Sequence, residues 1–299
     1  MAGNPTQFVL ERMLAAAQLD WRVFTVEVEE SSVEDALRGL AAMNIDALKV
    51  IQDYDGWLAS DFLINAASNQ VVCDSTTADT VKLESGEWLV WNSQSEGWFW
   101  WHDRFQPFVT RQSSDEITRS TRLLLVGDSL LTRGVFDSIT RAGPSNEETD
   151  RRDYGDIIWV GGPTSLQCDE VEKSAKAAGL GLRLATFESL NSLSEYLQPS
   201  AVAELSESQR IVTDCVVGPG FEEWSEFASL LERASVAIGT LCAVDDAGSS
   251  LAASEIQAEA RISSSELTAA ALAFDFKRWT GEEPDFDLML EAIEEFNEF

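Results

Sequence analysis

Residues 123–134 read LLLVGDSLLTRG, an apolar run that passes through one glycine into a helical pattern. A strand feeding a helix through a glycine turn is how many enzymes seat a dinucleotide. The glycine lets the backbone approach the pyrophosphate, and the first helical amides face it. Gly127 keeps that place here, but Asp128, Ser129 and Leu130 follow it. A carboxylate beside a dianionic bridge in a partly dry site costs on the order of several kcal/mol. The helix N-terminus offers the phosphate roughly 1 kcal/mol in return. The carboxylate therefore excludes phosphate unless it turns outward, and as an N-cap Asp128 or Ser129 would take the same amides. His102 is the single histidine, so Ser-His-Asp catalysis has one place to run and His-rich metal sites are excluded.

Composition narrows the partners. Of the 299 residues, 44% are hydrophobic and 24% charged, the balance of a soluble globular protein able to bury a sizeable core. Against 52 Asp and Glu stand 21 Lys and Arg, a formal net charge of −31. A field of that sign repels nucleic acid and anionic membrane, so neither is expected as a partner. No apolar run approaches the roughly 18–20 residues of a membrane span. The opening MAGNPTQ has neither the basic start nor the apolar stretch of a secretory signal. Cys73, Cys168, Cys215 and Cys242 show no metal spacing and read as reduced, mostly buried thiols of a cytoplasmic protein. No metal is expected.

Two blocks of elements must position these residues. In the first, 8–18 has helical spacing, WRVFTVEV (21–28) alternates like a strand, and 31–44 is a serine-capped helix. Residues 45–52 are again strand-like, and QVVCD with EWLVWNS, around 70–93, read as a hairpin across ESGE. WFWWHDRF (98–105) reads as aromatic packing of a helix at a domain junction. The polar stretch 110–120 is the joint to the second block. There, strands at 121–127, 156–162, 181–186, 210–218 and 236–243 alternate with helices at 130–143, 168–179, 188–197 and 222–235. Such alternation implies βαβ units and a doubly wound parallel sheet. The last 35 or so residues are helical, broken at TGEEP.

The segment ELTAAALAFDFKRWTGEEPDFDLMLEAI (266–293) is similar to the C-terminal helix of shikimate dehydrogenases, with Phe276, Trp279, Thr280 and Gly281 as its signature. The order of the elements before it resembles that family over nearly the whole chain. The resemblance implies an α/β protein of two α/β domains. A substrate domain would cover 1–107 plus about 266–299, the C-terminal helices returning to it. A Rossmann-like NAD(P)-binding-type domain would cover 108–265. It further implies NADP as cofactor, a small polar or acidic molecule in the interdomain cleft, and a monomer or homodimer.

Carried over residue by residue, the resemblance weakens at the working positions. The family's Ser-x-Ser-Pro stretch, whose hydroxyls bind the substrate carboxylate, falls on Asn4, Pro5, Thr6 and Gln7; Asn4 and Thr6 keep donors. So little chain precedes it that the family's usual first strand is expected to be absent. The Asn-Val-Thr-x-Pro-x-Lys run falls on KVIQDYD (49–55), placing Lys49 at the asparagine and Asp55 at the proton-transferring lysine. A carboxylate has the wrong sign beside a developing alkoxide. Lys49 reads either as a strand lysine reaching solvent or as a cation for an acidic ligand; a small shift of the alignment would make it the catalytic amine.

The family's Asn-Thr-Asp-Gly motif falls on WNSQSEG, with Gln94 at the aspartate; glutamine hydrogen-bonds but takes up no proton. Asn69 keeps a substrate-contacting asparagine, and Ala271 stands where a glutamine faces the substrate. In the nucleotide domain the glycine-rich loop falls on Gly127, Asp128, Ser129 and Leu130. The second strand ends on Gly161 and Gly162 without the arginine that holds the NADP 2′-phosphate. The pattern implies a shikimate-dehydrogenase-like protein with the NADP-dependent reaction lost or strongly impaired and a small-molecule site retained. The alternatives are an active NAD(P)-dependent shikimate- or quinate-type dehydrogenase using substituted residues, and a non-catalytic interaction partner.

Overall fold

The computed structural model describes residues 5–29, 32–43, 45–51, 77–84, 87–105, 121–141, 154–162, 168–185, 212–219, 224–234, 236–243 and 256–298. The chain is α/β and divides into two compact units, Met1–Phe105 with Ser265–Phe299, and Gln106–Ser264.

In the first unit, helix α1 (Pro5–Ala16) opens on a proline, whose missing N–H is no loss at the first helical position. Its stripe Val9, Leu10, Met13 and Leu14 is buried. Helix α2 (Val33–Ala42) leads to three short antiparallel strands, β1 (Ala47–Lys49), β2 (Thr80–Glu84) and β3 (Glu87–Trp91), in the order β1-β2-β3. The register sets Lys49 opposite Thr80 and Thr80 opposite Trp91, so three side chains share one cross-strand row. Helix α3 (Ser93–Phe105) follows directly. The chain returns to this unit with α7 (Ser264–Thr280) and α8 (Phe286–Asn297), and α8 packs on α1, where Phe8 meets Phe296 and Arg12 pairs with Glu295.

Two expectations change here. Residues 21–28 form no regular element and belong to neither sheet; Phe24 and Val26 stay exposed, so the alternation has no apolar face to bury. The hairpin across ESGE forms with Thr80–Glu84 as its first arm; QVVCD lies outside the described residues.

The second unit is built on a six-stranded parallel sheet of β4 (Thr121–Val126), β5 (Tyr154–Val160), β6 (Gly181–Ala185), β7 (Val212–Val217), β8 (Ala237–Ala243) and β9 (Ala258–Ile262). The order β6-β5-β4-β7-β8-β9 is the doubly wound arrangement, with the crossover reversing between β4 and β7. Helices α4 (Leu130–Arg141), α5 (Cys168–Ala177) and α6 (Trp224–Arg233) fall between strands. Leu123–Val126 and Ile157–Val160 are continuous apolar runs with essentially no exposure, as central parallel strands require. The edge strand β9, with its alternating half-buried pattern, was not anticipated from the sequence. The helix expected at 188–197 lies outside the described residues. Cys215 and Cys242 are buried free thiols and Cys168 a half-buried one. Among the described residues no helix is long and apolar enough to cross a membrane.

Candidate functional site

The cross-strand row of the first unit is the floor of a polar cluster. Lys49 Nζ donates to Asp275 Oδ2 at 2.9 Å, to Thr80 Oγ1 at 3.3 Å and to Ser93 Oγ. Asp79 Oδ2 lies 3.6 Å from the same ammonium. An ammonium has three N–H donors, and these partners account for all of them. The second oxygen of Asp275 accepts from Trp91 Nε1 at 2.8 Å, so each carboxylate oxygen has its own donor.

Asp79 is held from the other side. Ser93 N donates to its Oδ1 at 2.7 Å, Thr80 Oγ1 to Oδ1 at 2.9 Å, and Ser93 Oγ to Oδ2 at 2.6 Å. The ammonium thus reaches Asp79 directly and through two hydroxyls. Asp79 also sits at the N-terminus of α3, where negative charge is favourable. Asn92 caps the same helix: its Oδ1 accepts from Ser95 N at 3.0 Å, and its Nδ2 donates to Thr77 Oγ1 at 2.8 Å.

Burial sets the electrostatics. The Asp275 side chain has no exposure, Asp79 has 11% and Lys49 14%. Burial pushes the Asp275 carboxyl up to about 6, against the opposing pull of Lys49 and with a further push from Asp79. Burial acts to lower the Lys49 ammonium, but Asp275 and Asp79 outweigh it and hold the group above the ordinary lysine range. Lys49 is therefore a fixed cation at neutral pH, not a base.

Of the described residues singled out from the sequence, Lys49 and, within the WNSQSEG motif, Ser93 belong to this cluster by their hydrogen bonds. Gln94 lies half-buried in the first turn of α3, beside Ser93. Thr6 is buried in α1. Ala271 is buried in α7 against α3: a Cβ placed on Gly97 would come within 2.5 Å of the Ala271 amide nitrogen. Asn4, Asp55 and Asn69 lie outside the described residues. Sequence reasoning missed Thr80, Trp91 and both aspartates. Asp79 stands in an ADT triplet one residue before a strand, and Asp275 interrupts the otherwise apolar face of α7. A charge on a buried helical stripe was the available signal.

In the second unit the turn after β4 is closed by its own side chains. Gly127 has φ +87°, a conformation that favours glycine, and its carbonyl accepts from Trp159 Nε1 at 2.9 Å and Thr132 Oγ1 at 3.1 Å. Asp128 turns onto Arg133 with both oxygens, at 2.5 and 2.7 Å. Ser129 Oγ accepts from Thr132 N at 3.2 Å while Thr132 Oγ1 accepts from Ser129 N at 3.0 Å, a reciprocal cap on α4. Ser129, not Asp128, takes the helix amide, and Leu130 opens the helix half-buried. A Cβ on Gly218, which follows β7, would lie 2.6 Å from Ser129 Oγ. Gly161 has φ +61°, and a Cβ on Gly162 would lie 2.8 Å from the Trp159 ring. Among the described residues no group of three His, Cys, Asp or Glu side chains is arranged to hold a metal ion.

No protein-family model matches the sequence, and no curated protein matches it. Solved structures do. A shikimate 5-dehydrogenase from Listeria monocytogenes, in complex with shikimate and NAD, aligns over 96% of this chain and 91% of its own at 12% identity and a TM-score of 0.65. A 5-ketofructose reductase of a Gluconobacter strain aligns over 100% and 95% at 13% identity and 0.64. A shikimate dehydrogenase in complex with NADP+ aligns over 97% and 90% at 13% identity and 0.57. Identities this low speak for the backbone and not for the chemistry. The chain has the two-domain α/β fold of the shikimate dehydrogenases.

Proposed function

We propose that this chain keeps the shikimate-dehydrogenase scaffold, has lost or strongly reduced the NADP-dependent interconversion of shikimate and 3-dehydroshikimate, and retains a site for a small polar molecule. The observation that carries the reading is the saturated Lys49 ammonium: its three donors are spent on Asp275, Thr80 and Ser93. An ammonium so held has no N–H left for a substrate oxygen unless an internal bond breaks first.

The cofactor implied by the fold is a nicotinamide dinucleotide, and the residues at the turn after β4 do not suit its pyrophosphate. Asp128 is turned onto Arg133, so the obstacle is the reciprocal Ser129–Thr132 cap, which already holds amides the pyrophosphate would use. Ser129 caps the helix from the residue before it, and its hydroxyl fills the space left by Gly218. The charge of −31 disfavours nucleic acid and anionic membrane as partners, a cytoplasmic setting is consistent with the free thiols, and a monomer or homodimer is what the resemblance implies.

One observation favours a second reading, an active NAD(P)-dependent dehydrogenase with substituted residues. Lys49 and Asp275 still set an ammonium against a carboxylate at 2.9 Å. In the direction of carbonyl reduction, such a cation could stabilise the developing alkoxide. The two readings separate in a thermal-unfolding measurement of the full chain with saturating NADP, then NAD, followed by an assay for NADP reduction with shikimate. No shift and no turnover is expected. A midpoint raised by several degrees together with ordinary turnover would replace the first reading with the second.

A further inference from the structure

The carboxylate of Asp275 is bound the way a protein binds the carboxylate of a ligand. One oxygen lies on an ammonium at 2.9 Å and the other on an indole N–H at 2.8 Å. Its donors come from two strands, Lys49 at the end of β1 and Trp91 at the end of β3. They belong to one row of the sheet, in register through Thr80, and are not neighbours of Asp275 along its own helix. Arg278, one turn further along α7, lies over the Trp91 ring at 4.4 Å and packs on the indole whose N–H edge Asp275 accepts from. Lys82 in turn donates to the Arg278 carbonyl at 3.0 Å. The elements packed against Asp275 thus face it with the charged groups Lys49 and Asp79. This is a built carboxylate site, with charge, a directional second donor and full burial of its occupant.

We propose that the first unit contains a binding site for a small carboxylate whose ligand is supplied in cis by Asp275, so that external acids are excluded from Lys49. The proposal rests on the reading above that Lys49 is withdrawn from external substrate, and it narrows the retained ligand from "polar or acidic" to neutral and polar. With Asp79 at 3.6 Å the cluster already holds two carboxylates against one ammonium. A third carboxylate would meet net negative charge and no spare donor.

The test is chemical rescue in the full chain. Asp275→Ala opens a carboxylate-sized space beside Lys49 and Trp91. Its melting midpoint is expected to fall, and sodium formate is expected to restore it. At about 100 times its dissociation constant, formate should raise the midpoint by roughly 5 °C over sodium chloride of equal ionic strength. The gain should vanish in Lys49→Met/Asp275→Ala. A folded Asp275→Ala with the same midpoint in formate and chloride overturns the proposal. If Asp275→Ala does not refold in chloride, recovery in formate supports the proposal and equal failure in both salts overturns it. In the unsubstituted chain, acetate and formate should behave as chloride does. A formate-specific rise there that Lys49→Met abolishes would show that Lys49 still takes an external acid. None of these arms involves a nucleotide, so their outcome is separate from that of the NADP measurement.

Discussion

Replacing Lys49 by methionine removes the cation from the cluster while keeping most of the side-chain volume. Asp275 is then a buried carboxylate with one indole N–H on it and Asp79 nearby. Removing one partner of a buried ion pair typically costs about 3–5 kcal/mol. The low end applies here, because Lys49 retains some exposure and Asp275 can escape its charge by taking a proton. That escape makes the effect depend on pH.

In the unsubstituted chain Asp275 titrates near 6 instead of its ordinary 3.8. A carboxyl raised on folding contributes stability that is fully present below the unfolded value and lost as pH rises through the folded one. The loss amounts to about 3 kcal/mol across roughly pH 4 to 6. Without the opposing pull of Lys49 the carboxyl titrates higher still, and the loss extends toward neutrality. Lys49→Met should therefore be weaker than the parent by about 3 kcal/mol at pH 8 and by far less at pH 5. Urea unfolding followed by tryptophan fluorescence measures this, because eight of the ten tryptophans belong to the first unit. A deficit of the same size at both pH values, or none at pH 8, would refute the argument.

Gly97→Ala should destabilise the first unit by about 1–3 kcal/mol, since its Cβ would meet backbone of Ala271 and backbone cannot turn aside; the same fluorescence measurement checks it. Gly218→Ala should destabilise the second unit by a similar amount through its clash with Ser129 Oγ. The cost should shrink in a Ser129→Gly background; strict additivity in a double-mutant cycle would show that the two positions do not touch.

How much of this was legible depends on the kind of signal. The parallel sheet was plain, because Leu123–Val126 and Ile157–Val160 are apolar runs, and strand-like and helical patterns alternate along the second unit. Strand β9 was not, because its alternation is short and only half-buried. The Gly127 turn could be located and its conflict with phosphate stated, but which side chain capped the helix was a choice of rotamer that spacing does not reveal. Lys49 stood out as a cation in a strand. Its partner could not be read: Asp275 lies 226 residues away, and pairing at that range is decided by packing, not by local pattern. The run AAALAFD was informative in hindsight, since a carboxylate on a stripe buried enough to need alanines must have a countercharge.

The discontinuity of the first unit has a consequence in time. The second unit occupies one uninterrupted stretch, Gln106–Ser264, and all of it is made before Asp275 exists. At about 5–20 residues per second, translation leaves Lys49 waiting roughly 10–45 s for its countercharge. Throughout that interval the nascent first unit carries Lys49 without Asp275 and lacks the two C-terminal helices that complete its packing. It is therefore a natural client for whatever holds unfinished chains in the cell, and a premature stop ahead of codon 275 would leave Lys49 permanently without its countercharge.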